Sequence, residues 1–132
     1  MEEEKLYEII KNSKRIVFFG GAGVSVASGI PDFRGSNGLY NKVPEEIISN
    51  HYFLENTKEF YEFYKDNLVF KNAKPNPCHE ALAMLEEKGY LKAIITQNID
   101  GLHQMAGSKN VIELHGSIHR NYCMKCHKLY AL

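Results

Sequence analysis

This chain has no long hydrophobic run, no excess of either charge and no even set of cysteines, and each absence excludes a class of protein. Its apolar stretches are only a few residues long, too short to cross a bilayer. The 16 basic and 16 acidic residues cancel, so no general field draws the molecule to nucleic acid or to an anionic membrane. Neither is expected as a partner, and recognition must be local. The opening Met1-Glu2-Glu3-Glu4 is acidic where a secretory signal needs positive charge, which points to the cytoplasm. Cys78, Cys123 and Cys126 make an odd count, which argues against a disulfide framework.

What is present is a globular composition: 132 residues with 44% apolar and 11% aromatic side chains suffice for one domain with a core. No repeat, low-complexity tract or linker divides it. Residues 2–13 read as an amphipathic helix carrying Leu6, Ile9 and Ile10 behind acidic residues that suit a helix N-terminus. Ile16-Val17-Phe18-Phe19, closed by Gly20-Gly21, reads as a buried parallel strand. From Ile30 to Asn50, prolines and glycines among polar residues predict mostly loop, and a loop of that length covers something.

Phe60, Phe63, Tyr64 and Leu68 mark one helix, and Asn76-Pro77 through Gly89 marks another with cap, first-turn proline and stop. Residues 92–96 read as a second buried strand and residues 111–114 as a third, with Asp100 placed to cap a short helix between them. Cys78, beside Ala81, Leu82 and Leu85, reads as a small core hydrophobe. Strand and helix alternation with right-handed crossovers gives an α/β parallel sheet, and such sheets bind ligands at the carboxyl ends of their strands.

The chemistry-bearing residues fall at those ends. Gly21-Ala22-Gly23-Val24-Ser25 lets backbone N–H groups approach a phosphate at a helix N-terminus. Alone, the fragment reads first as a tight turn: Val26 stands where the dinucleotide fingerprint wants Gly or Ala, and the Lys-Ser/Thr of a P-loop is missing. Val26 also disfavours a nicotinamide-dependent dehydrogenase. Cys123-Met124-Lys125-Cys126 spaces two thiols to grip one face of a tetrahedral ion. A thioredoxin-like pair or, with His127, a c-type haem attachment are the other readings of these cysteines.

Four blocks follow the glycine turn in order: Ser28-Gly29-Ile30-Pro31-Asp32-Phe33-Arg34-Gly35, Thr96-Gln97-Asn98-Ile99-Asp100-Gly101-Leu102-His103, His115-Gly116, and the cysteine pair. Together they resemble the sirtuins, NAD-dependent protein-lysine deacylases, along essentially the whole chain. The resemblance implies an incomplete Rossmann-like parallel sheet with flanking helices at 1–116. That part would include a cofactor-binding loop near 30–50 and inserted helices. Residues 117–132 would form the first half of a small zinc-binding module, Cys123 and Cys126 being two ligands, with His119 or His127 as substitutes for the missing pair. Such a sheet would expose an edge and an apolar face, inviting self-association.

The implied reaction cleaves the nicotinamide–ribose bond of NAD and passes the acyl group of a modified lysine to ADP-ribose. An oxocarbenium-like centre then has to be sheltered from water, and Phe33 is an apolar plate suited to it. Arg34 would reach the pyrophosphate with its planar donor fork. Gly21, Ala22, Gly23 and Ser25 would hold cofactor. Asp100 and the backbone of Ile99 would hold the nicotinamide carboxamide, and the amides of Gln97 and Asn98 ribose hydroxyls or an ordered water. His115 would be the general base and Asn98 the second catalytic residue. Gly20 departs from the family's usual threonine. Sirtuins preferring acidic acyl groups carry Tyr-x-x-Arg where this chain has Tyr61-Glu62-Phe63-Tyr64, so acetyl or other uncharged acyl groups are expected, with an acetyl-lysine protein or peptide as substrate.

Overall fold

A computed structural model describes residues 2–132. Its centre is a three-stranded parallel sheet of β1 (Ile16–Gly20), β2 (Leu91–Thr96) and β3 (Val111–Glu113), in that order. The register sets Gly20 beside Thr96 and Thr96 beside Glu113, so the three carboxyl ends share one edge. The ladder continues past the strands: Gln97 N–H donates to Gly20 O at 3.0 Å and Leu114 N–H to Thr96 O at 2.9 Å. The loops carrying the sequence motifs therefore leave from adjacent points.

Five α-helices accompany the sheet: α1 (Glu2–Asn12), α2 (Asn50–Glu55), α3 (Thr57–Asn67), α4 (Pro77–Glu87) and α5 (Leu102–Met105). The 30–50 stretch is loop interrupted by one-turn 3-10 helices at Leu39–Asn41 and Glu45–Ile48. α4 starts as its sequence dictates, with Pro77 in its first turn and a capping box in which the Asn76 side chain and His79 satisfy the first free N–H groups. It packs on β2, where Leu82, Leu91 and Ile94 form the core with Ile16, Phe18, Leu85 and Val111 around them. A two-stranded antiparallel ribbon, β4 (Asn121–Tyr122) and β5 (Leu129–Tyr130), follows.

Three expectations are corrected. The strands are not buried on both faces: Phe18 packs inward, while Val17 and Phe19 are more than half exposed. Register places Phe19, Ile95 and Ile112 in one cross-strand row on that open side. α1 forms where its periodicity predicts, yet Leu6, Tyr7 and Ile9 stay more than half exposed and none of its residues is buried. Cys78 is exposed, as is Ala81. Phase explains this, because the core stripe of α4 runs through His79, Leu82 and Leu85 at three-residue steps and Cys78 lies about 100° away from His79.

Core and open face should respond differently to substitution. Ile94→Ala is expected to cost about 2–5 kcal/mol of unfolding free energy, and Val17→Thr on the open face less than about 1 kcal/mol. Urea titration of each variant measures this, and equal losses would contradict the one-sided burial.

Candidate active site

The 3-10 turn Ala22–Ser28 follows β1 through the extended Gly21 and ends at Gly29, whose φ of 84° is left-handed. It carries Ser25 inward, leaving it only 1% exposed. The Ser25 hydroxyl donates to Asp100 Oδ2 at 2.6 Å and accepts from Asn98 Nδ2 at 3.0 Å. Asp100 Oδ1 takes the Leu102 N–H at 2.9 Å, and the Asn98 N–H donates to Thr96 Oγ1 at 3.0 Å. One hydroxyl thus joins the loops after β1 and β2. The N-cap of α5 is Gly101, without a side-chain cap, and not Asp100 as expected; Asp100 stands one residue earlier and accepts the Leu102 N–H.

The loop after β3 is fastened to the same place. Ile118 N–H donates to Ile99 O at 3.0 Å, and His119 Nε2 lies 3.1 Å from Asp100 O. A carbonyl only accepts, so that nitrogen carries the hydrogen. Gly101 is required between them: its φ is 73°, and a Cβ there would stand 2.7 Å from the His119 ring.

Two buried features were not legible from sequence. Asn76 is more than a cap: its Nδ2 donates to Val24 O at 2.8 Å and to Ser28 Oγ at 2.9 Å. His79 and His103 lie with ring centroids 4.7 Å apart, 0% and 1% exposed. His79 Nδ1 accepts from Asn76 N–H at 3.3 Å, while His79 Nε2 and both His103 nitrogens have no partner among the described residues. Burial holds both imidazoles below the ordinary value of 6.5, His79 adds to the effect on His103, and the Asp100 carboxylate opposes it in both. The helical spacing of His79 with Leu82 was the one signal that it faces inward.

The remaining site residues are more open. A Cβ on Gly23 would meet nothing within 4 Å, and one on Gly21 only Gln97 Nε2 at 4.0 Å, so the face of the turn is free for close approach. Ala22 and Ile99 are half-buried and Gln97 is exposed. Phe33 rests on Tyr40 with centroids 5.3 Å apart. The exposed Arg34 pairs with Glu45 and lies 5.1 Å over the Tyr40 ring. Both have their ring and ion-pair partners within the covering loop. His115 is exposed just past β3, and Gly116 follows with φ of 82°. A cavity of about 950 Å³ adjoins the end of the turn at Ser28 and Gly29 and is lined further by Tyr61, Tyr64, Lys65 and Lys71 among others.

The donor set fits the nicotinamide end of NAD. Asp100 uses one acceptor site on each oxygen and keeps lone pairs for amide N–H groups, and the glycine turn above it is open. Zinc is fitted only in part. The Cys123 thiol is held below its ordinary value by the backbone N–H groups of Cys126 and Lys125 and by the Cys126 thiol. That favours thiolate, yet the described residues contain no group of three or more His, Cys, Asp or Glu placed to hold a metal. His119 is engaged with Asp100, and His127 stands at a left-handed φ of 57° in the cysteine turn.

A parallel sheet with a glycine turn and a polar cluster at its carboxyl edge defines a Rossmann-like dinucleotide-binding type of protein. The Sir2 family model matches residues 21–132, and the chain belongs to that family. It is 63% identical to the NAD-dependent protein deacetylase of Clostridium perfringens (strain 13 / Type A), covering 96% of this chain and 54% of that protein. The NAD-dependent protein deacetylase of Thermotoga maritima is 47% identical, with 100% and 54% covered. A Sir2 structure with deacetylated p53 peptide and 3′-O-acetyl ADP ribose superposes with a TM-score of 0.92 at 47% identity, covering 99% of this chain and 54% of that one. The chain spans about half the length of the curated relatives it matches.

The buried imidazoles set a pH dependence. Their folded-state values lie below the unfolded one, so the unfolded chain gains protons first, and stability present above about pH 6.5 is lost as pH falls below it. The expected result is a drop in unfolding free energy between about pH 7.5 and 5.5 that shrinks in the double variant His79→Gln, His103→Leu. Denaturant titrations at the two pH values check it, and an unchanged drop would remove the histidines from the explanation.

Proposed function

We propose that this chain acts as an NAD-dependent protein-lysine deacetylase of the sirtuin type, moving the acyl group of a modified lysine to ADP-ribose with release of nicotinamide. The observation that carries the reading is the buried Ser25–Asp100–Asn98 cluster beneath the open glycine turn. NAD supplies the cleavable nicotinamide–ribose bond and the ADP-ribose acceptor. Asp100 and the backbone of Ile99 hold the carboxamide end; Gly21, Ala22, Gly23 and Ser25 shape the turn against the phosphates and ribose. Gln97 and Asn98 bind ribose hydroxyls or a water. Phe33 excludes water from the reacting carbon, and Arg34 leaves Glu45 to meet the pyrophosphate. His115, exposed at the same edge, accepts the sugar hydroxyl's proton.

The substrate is an acetyl-lysine protein or peptide in the cytoplasm, and the open sheet face offers a route to self-association. Residues 1–116 are the cofactor-binding part, and 117–132 begin a zinc module in which Cys123 and Cys126 are two of the ligands. The phenols Tyr61 and Tyr64 line a cavity of about 950 Å³. Burial raises the Tyr64 value, with the neighbouring Tyr61 adding to it, so the side chain stays neutral.

Nicotinamide release from NAD with an acetyl-lysine peptide tests the reaction. Release is expected, and His115→Ala should lower product formation by about 100-fold or more. A chain that neither binds NAD nor releases nicotinamide is not a deacetylase. In the same assay a succinyl-lysine peptide should react at least about 10-fold less well than the acetyl form. Equal rates would instead point to the exposed Lys65 and Lys71 of that cavity as partners for the acid.

A further inference from the structure

We propose that Asn76 is a positioning residue for the NAD-binding turn, holding Ser25 in place from the first turn of α4. This deepens the deacetylase reading and rests on it. Asn76 is 6% exposed. Its Oδ1 accepts the Cys78 N–H at 2.9 Å, which is the capping interaction. Capping needs only an acceptor, and Asp or Ser would serve as well. What distinguishes Asn is the amide nitrogen, and both of its bonds leave the helix for a segment 48 and 52 residues away.

Those bonds bracket Ser25. Val24, whose carbonyl accepts at 2.8 Å, precedes it, and Ser28, whose hydroxyl accepts at 2.9 Å, is the last residue of the turn. Apart from these bonds and those of Ser25 itself, the turn relies on local closure. It is seven residues of 3-10 geometry, its leading Gly21 makes no side-chain cap, and a helix this short is marginal by itself. At its ends it is closed by Val24 N–H to Gly21 O at 3.1 Å, Gly29 N–H to Val26 O at 3.0 Å and Ile30 N–H to Ser25 O at 3.2 Å. Ser25 must nevertheless present one oxygen to Asp100 and Asn98 together, within hydrogen-bond tolerance of both. α4 is anchored in the core through Leu82, so Asn76 transmits that rigidity to the turn.

The test uses the 132-residue chain with NAD itself as the probe, read by calorimetry and by amide hydrogen exchange. Asn76→Ser keeps an acceptor for the cap and removes the amide whose N–H groups reach Val24 and Ser28. Ser28→Ala removes one acceptor without touching the cap, and so serves if Asn76→Ser fails to fold. Glu86→Ala, which removes the carboxylate receiving the Lys109 and Asn110 N–H groups at the far end of the sheet, controls for general destabilisation. With two hydrogen bonds lost, Asn76→Ser should speed exchange across residues 22–30 and weaken NAD binding, each by about 10-fold or more, while α4 keeps its protection. Ser28→Ala should move the same amides by a smaller factor, and Glu86→Ala should leave NAD affinity unchanged.

If the parent chain binds NAD and Asn76→Ser binds it equally well, the positioning role is refuted, whatever the exchange rates. Loss of affinity matched by Glu86→Ala would reduce Asn76 to an ordinary stabilising residue and refute it too. A parent chain that does not bind NAD brings down the deacetylase reading and this inference with it.

Discussion

The Ser25 hydroxyl is the constraint on which the carboxyl edge of the sheet depends. It gives its single hydrogen to the Asp100 carboxylate and takes one from the Asn98 amide, inside a region where none of the three is fully exposed. A carboxylate and an amide withdrawn from water must find partners, and in a low local dielectric the bonds they find strengthen one another. Satisfying that requirement also assembles the site, because both partners come from the loop after β2, 73 and 75 residues beyond Ser25 in sequence. Parallel register brings the strand ends side by side, and the hydroxyl fixes what the loops do after leaving them.

The rest of the molecule is arranged around this edge unevenly. Helices cover one face of the sheet, while Val17 and Phe19 of β1 stand more than half exposed on the other. Inside the covered half, His79 and His103 keep three ring nitrogens without partners among the described residues, a cost the Ser25 cluster avoids. Polar order is thus concentrated at the strand ends, and the imidazole pair behind it is held together by burial and ring contact instead of by hydrogen bonds.

Much of this was legible in sequence because its causes are local. Apolar β-rich runs gave the strands, Asn76-Pro77 and Gly89 bounded α4, and the glycine blocks fell at strand ends. What stayed hidden is set by contacts across many residues. The phase of α4 turns on which side chain, His79 or Cys78, meets the core, and composition alone favoured the cysteine. Coverage of the second sheet face depends on packing partners that periodicity within a strand does not report. Asn76 looks the same whether its amide donates to water or to Val24 and Ser28. The link from Ser25 to Asp100 has no pattern in sequence, although both residues were singled out separately.

The proton acceptor proposed for this chain follows from how the six histidines are placed. His79 and His103 are sealed from solvent and kept neutral by burial, so neither exchanges a proton with water in a catalytic cycle. His51 sits on α2 against Glu55, His119 spends a ring nitrogen on the Asp100 carbonyl, and His127 belongs to the cysteine turn. His115 alone combines an exposed ring, freedom from hydrogen bonds to the described residues, and a position directly beyond a strand end. A general base has to reach both its substrate and the solvent that regenerates it. On the proposed reading, the Ser25–Asp100–Asn98 cluster would hold the ligand and the exposed His115 would move the proton, which divides those tasks between groups whose environments suit them.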